Sequence, residues 1–175
     1  MARIPYADLQ APAIKPLADR IVRERGSVLL LYQMLLHSPD VAEGWLTYLT
    51  AIRQKSTLPG AVRELVIMRV ALLTHAPYEA DQHAPIALRE GVAKAKLDAL
   101  ANWDAQPELY DAGERAVLAY ADAMTRAIQV PPAVFAAIAE RYAHPQLVEL
   151  TATIAAYNMV SRFLEAMQIH SDDQK

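Results

Sequence analysis

Apolar positions along this chain recur three and four residues apart, prolines interrupt them at short intervals, and no stretch alternates apolar with polar residues over the length of a strand. That pattern predicts helices throughout and no sheet. Residues 1–16, with prolines at 5, 12 and 16, read as an extended arm. A first short helix is predicted over 17–25, stopped at Gly26, and a second over 28–37 with Ser27 as its cap. Ser38-Pro39 supplies a cap followed by proline at the first helical position, opening a helix over about 40–55 on which Trp45, Leu46, Leu49 and Ile52 share a face. The next helix, 59–74, is apolar on most of its sides, with Leu65, Ile67, Met68, Val70, Ala71 and Leu72, which predicts a central, buried position. His75-Ala76-Pro77 breaks it, because the proline ring opposes the preceding turn. Pro77 then starts a helix to residue 90, with Gly91 as its stop. Further helices are predicted over 93–101, 111–128, 133–142 and 145–169, with a loop at 102–107 and a frayed polar tail at 170–175.

Composition sharpens this picture. Alanine and leucine dominate, and there are only five glycines, which favours helix over strand. No low-complexity linker divides the 175 residues, so a single domain is expected. The formal charge of −3 is spread along the chain without a basic block, so no nucleic-acid partner is expected. The apolar stretches 28–36 and 65–73 fall well short of the ~20 residues needed to cross a bilayer. With no signal-peptide pattern at the start, the expectation is a cytoplasmic protein with no membrane partner. The chain has no cysteine, so thiol chemistry is excluded.

Candidate chemistry concentrates around the break at 75–77. Glu79 and His83 are four apart and share one face of the helix that Pro77 opens. Glu79 stands in its first turn, where the helix dipole favours a carboxylate. Glu64 lies nearly three turns before the end of the preceding helix. If the two helices fold back as a hairpin, Glu64 could approach His83. A carboxylate beside an imidazole holds one tautomer and tunes its pKa, as general acid–base work requires.

Glu64, His83 and the apolar helix between them resemble the carboxymuconolactone decarboxylase and alkylhydroperoxidase D-like (AhpD-like) superfamily. In the peroxidase branch of that superfamily a glutamate is followed by Cys-x-x-Cys-x-x-x-His. Counted back from His83, the two cysteine positions are Ala76 and Glu79 here, and Glu64 falls where the proton-relay glutamate stands. Tyr78-Glu79 followed by His83 is similar to the Tyr-Glu-Trp-x-x-His pattern of cysteine-free members, with Ala80 in place of the tryptophan. The resemblance implies an all-helical bundle with a central helical hairpin, assembled as a homo-oligomer, a trimer or hexamer. It implies a lyase-like, cofactor-independent enzyme on a small organic acid or lactone, with Glu64, Glu79 and His83 catalytic. Tyr78, Asn158 and Arg162 are the substrate-binding candidates. The last two are four apart on one helical face, and a buried arginine can take a carboxylate in bidentate fashion.

Each assignment has a structural alternative. Glu64 and Glu79 could merely complement helix starts, Tyr78 could be core packing, His75 could cap the helix before it, and Arg162 could serve as an ion-pair partner. His75, Glu79 and His83 could be read as metal ligands, but Pro77 breaks the helix that would align them, so no metal and no cofactor is expected. At the level of function the alternatives are a peroxidase role assigned by similarity, for which the cysteines are missing, and a non-catalytic oligomeric binding protein of the same fold.

Overall fold

The structure is a computed structural model that describes residues 1–174; of the tail expected at 170–175, Lys175 lies outside the described residues. Nine α-helices make up nearly all of the regular structure of the described residues, and none of those residues is in a strand: α1 Lys15–Arg25, α2 Leu30–Leu35, α3 Pro39–Gln54, α4 Gly60–Leu73, α5 Pro77–Arg89, α6 Lys94–Ala99, α7 Ala112–Arg126, α8 Pro132–Ala139 and α9 His144–Met167. This is the all-α architecture expected. Among the described residues no helix is long and apolar enough to cross a membrane.

The chain divides into two compact units. One comprises Met1–Lys55 and the C-terminal stretch from Leu164; the other is Ser56–Phe163. In the first, α1 ends as predicted at Gly26, whose left-handed φ of 84° lets its N–H turn back to the Val22 carbonyl. Ser27 does not cap the next helix. It sits in the bend after Gly26, and α2 starts three residues later, behind an extended Leu29. Ser38 holds the N-cap position of α3, but its hydroxyl makes no capping bond. The arm is tied down: the Arg3 N–H reaches the Met167 carbonyl and the Ala7 N–H that of Gln33. The tail is also ordered as far as it is described. Ser171–Gln174 form a 3₁₀ turn, and the Tyr6 hydroxyl donates to Asp173 at 2.8 Å.

The second unit is built around α4. Every residue from Glu64 to Ala71 is buried, so the helix predicted to be apolar all round is central in this unit. It packs against α5 and α7. Fully burying a side chain such as Val66 or Ile67 contributes about 1.5–3 kcal/mol, and α4 has such residues on every side. Its facing partner α7 offers Val117, Leu118, Tyr120 and Ala121. The start of α7 carries a capping box that the sequence reading passed over: Asp111 accepts from the Glu114 N–H, and Glu114 reaches back to the Asp111 N–H, each at 2.8 Å. The segment expected as a loop at 102–107 is instead mostly 3₁₀ turn, interrupted at Asn102. It is held from α4: Arg69 donates from Nη1 to the carbonyls of Leu100 and Ala101, both at 2.9 Å.

The corner between α4 and α5 decides where the candidate residues fall. His75 takes a left-handed φ of 54°. Its N–H bonds to Leu72, and the Ala76 N–H returns to Ala71 at 2.9 Å. This double closure is the Schellman motif, and it occurs here without the usual glycine. The backbone of His75, not its ring, therefore ends α4. Gly91 closes α5 in the same way, with Val92 bonded back to Ala87. Pro85, inside α5, supplies no N–H to the helix ladder.

Candidate acid–base site

Reversal at the corner runs α5 back along α4, and the pairing brings Glu64 and His83 together although they are 19 residues apart. The contact is short: His83 Nδ1 lies 2.6 Å from Glu64 Oε2. One helical turn before His83, Glu79 places Oε1 3.1 Å from the other ring nitrogen, Nε2. All three side chains are inside the protein, with Glu64 fully buried, His83 4% exposed and Glu79 5%. Tyr157 of α9 presents its ring edge-on to the imidazole, with centroids 5.0 Å apart.

Carboxylate oxygens only accept, so satisfying both requires a hydrogen on each ring nitrogen. The imidazolium is the form that matches this pocket. Burial by itself pushes the His83 pKa down, but the hydrogen bonds and charges of Glu64 and Glu79 outweigh it, and the pKa is raised above the ordinary value of 6.5. A raised folded-state pKa gives stability that is fully present below the unfolded value and is lost as pH rises through the folded one. We therefore expect the stability of the parent protein to fall as pH rises above about 6.5. The fall should be steeper than in a His83→Gln variant. Urea midpoints taken at pH 6, 7, 8 and 9 for the two proteins measure it, and parallel curves would contradict a charged His83.

A second cation stands outside the group. Arg63 Nε is 3.3 Å from Glu64 Oε1, and its Nη2 is 3.4 Å from Glu90. Two carboxylates, an imidazolium and a guanidinium thus sit in one buried cluster with balanced charge. Arg63 could not be picked out from the sequence, because adjacent helical residues do not ordinarily face one partner. Tyr157 was equally hidden, since nothing local links α9 to α5.

The substrate-binding candidates are not gathered at this cluster. Tyr78 is buried in α5 at 1% exposure. Asn158 donates to Thr125 and to the Ile154 carbonyl. Arg162 is exposed, and its Nη1 bonds to the side chain and carbonyl oxygens of Asn158 at 2.8 and 3.0 Å. Their hydrogen-bond partners are each other and neighbouring residues of α7 and α9, not the Glu64–His83–Glu79 group. His75 is exposed at the corner. Among the described residues, no group of three His, Asp or Glu side chains is arranged to hold a metal ion.

Residues 39–123, the stretch that contains Glu64, Glu79 and His83, match the carboxymuconolactone decarboxylase family. The chain belongs to the carboxymuconolactone decarboxylase and AhpD-like superfamily. A curated relative within reach of sequence comparison is the uncharacterized protein YnjA of Escherichia coli strain K12, 37% identical over 131 residues, which are 72% of this chain and 66% of that protein. The chain therefore spans about two-thirds of that relative's length. Solved structures of the superfamily share the fold at lower identity. The AhpD core of a peroxidase-related protein from Ralstonia eutropha JMP134 superposes with a TM-score of 0.81 at 20% identity, covering 99% of this chain and 93% of that one. The debrominase Bmp8, in complex with 2,3,4-tribromopyrrole, gives 0.80 at 20% identity, covering 99% and 96%. Within the superfamily this chain has alanine and glutamate where the resemblance places the two cysteines, and the Glu64–His83 pair is in contact across them.

Proposed function

We propose that this superfamily member is a cofactor-independent acid–base enzyme of the decarboxylase-like kind, acting on a small organic acid or lactone. The observation that carries the reading is the clamping of one buried imidazole between two carboxylates, one on each ring nitrogen. Glu64 holds the ring through Nδ1 and keeps it charged. Glu79, on Nε2, is the proton acceptor that a substrate would meet, and the imidazolium beside it stabilises its ionised form. When Glu79 takes a proton from the substrate, His83 is the adjacent donor that can return one to the product. A thiol peroxidase mechanism has no group to run on, since the chain contains no cysteine. Assembly as a trimer or hexamer belongs to the same proposal.

The test is a screen of purified protein against small lactones and β-keto acids, followed by the same assay on His83→Gln. Loss of general acid–base help costs about 10²–10⁴ in rate, so the variant should fall by at least the lower figure. Activity within a few-fold of the parent would sink the reading. The burial of the group supports a second one, a non-catalytic oligomeric protein that keeps the cluster as a structural element. A folded parent protein with no turnover anywhere in the panel would favour it.

A further inference from the structure

The corner between α4 and α5 carries more than a chain reversal. A cavity of about 530 Å³ opens there, lined by Arg69, Leu72, Leu73, His75, Ala101 and Arg126. That is within the range of small-ligand pockets, roughly 300–1,000 Å³. Three of its six lining residues carry nitrogen bases or cations, and none is a carboxylate. Leu72 and His75 are shared with an adjoining cleft of about 350 Å³, whose other walls are Ala71, Ala76, Pro77 and Ala80. A polar chamber and an apolar one therefore meet at the His75 side chain.

The three basic residues are not equivalent. Arg69 is buried, and Asp122 neutralises it through paired contacts of 2.6 and 2.7 Å. Counting its two bonds to the carbonyls of Leu100 and Ala101, four of its five N–H groups are used, and one Nη2 hydrogen remains. Arg126, the last residue of α7, is exposed, as is His75. Neither has an ion-pair or hydrogen-bond partner for its side chain among the described residues. The uncompensated charge at the cavity is thus that of Arg126, set opposite a fixed arginine edge. Two guanidinium groups facing one space suit a carboxylate, whose two oxygens can accept from both.

We propose that this corner binds a small organic acid, its carboxylate between Arg126 and Arg69 and its apolar body in the cleft over Ala76 and Ala80. His75 stands where the two halves of such a molecule would join. The α4 and α7 C-termini approach the same space, and their dipoles oppose an anion. Arg126 and His75 offset those dipoles in the empty pocket, and a carboxylate would draw on what charge remains. The proposal does not rest on catalysis by Glu64, Glu79 and His83, because binding is measured without turnover.

The probe is benzoate, titrated calorimetrically at low ionic strength, with benzyl alcohol as its uncharged counterpart. The parent should bind benzoate and prefer it to benzyl alcohol. Arg126→Ala should bind it about tenfold more weakly, and added NaCl should weaken parent binding, since the site is open to solvent. Arg126 has no partner whose loss would unfold the protein, so its variant should keep the parent's helicity. His83→Gln should bind as the parent does. Equal benzoate affinity in Arg126→Ala and parent would overturn the proposal. So would equal affinity for benzyl alcohol, no binding by the parent, or binding abolished by His83→Gln but kept by Arg126→Ala. His75→Asn, which tolerates the left-handed backbone, should change benzoate affinity without lowering the melting temperature; a change in melting temperature alone would assign His75 to the fold and count against its place in the pocket.

Discussion

Replacing Glu64 with alanine is expected to lower the free energy of unfolding by about 3 kcal/mol, the low end of the cost of breaking a buried ion pair. The side chain has no exposure to water. Its removal leaves His83 Nδ1 and one face of Arg63 without the oxygens they now meet at 2.6 and 3.3 Å. The loss is held to the lower figure because Glu79 remains on the other ring nitrogen, and because His83 can shed its proton. Glu64→Gln keeps the shape and one accepting oxygen, so it should cost distinctly less. Urea denaturation followed by circular dichroism at pH 7 reads both numbers. A loss below 1 kcal/mol for Glu64→Ala would mean that the pair contributes little to the fold, and the catalytic reading would then have to explain a buried cluster without structural value.

Arg69→Ala is expected to be at least as damaging, by about 3–5 kcal/mol. The substitution strips four hydrogen bonds at once: two from Asp122, and one each from the carbonyls of Leu100 and Ala101. Those carbonyls belong to the 3₁₀ segment after α6, so its attachment to α4 goes with them. Asp122 keeps a weak contact from Trp103 Nε1 at 3.4 Å and has a side chain 21% exposed. Water can therefore rescue part of its charge, which keeps the cost from rising further. Lysine cannot reproduce the planar fork, so Arg69→Lys should recover less than half of the loss. Full recovery would show that charge alone, and not geometry, holds this junction.

The elements of the chain were largely readable because their punctuation is local. Pro39 and Pro77 start helices where expected, Gly26 and Gly91 stop them, and the apolar girth of α4 announced its burial. Glu64 and His83 could be paired because the reversal between them is written in three residues, 75–77. Failures came where local chemistry had a competitor. Ser27 is a good cap residue in the wrong place, since the left-handed Gly26 has not finished turning the chain. His75 does a glycine's work because two backbone bonds hold it there, at about 1–2 kcal/mol against its preference. The Arg69–Asp122 pair spans 53 residues, and Tyr157 meets His83 from a helix far along the chain. Pairings at such distances depend on how helices pack, which a single sequence does not spell out. Arg162 fits a binding role by residue type, yet its position on α9 points it to solvent and to Asn158.

The two-sided grip on His83 also sets a timescale. Each ring hydrogen is held against a carboxylate, and the side chain is almost sealed from water. Neither hydrogen can trade places with solvent until α4 and α5 separate locally or the Glu79 side chain swings aside. The exchange of those two hydrogens is therefore a clock for how often the pair of helices opens, and the hydrogen on Nε2 should keep faster time than the one on Nδ1.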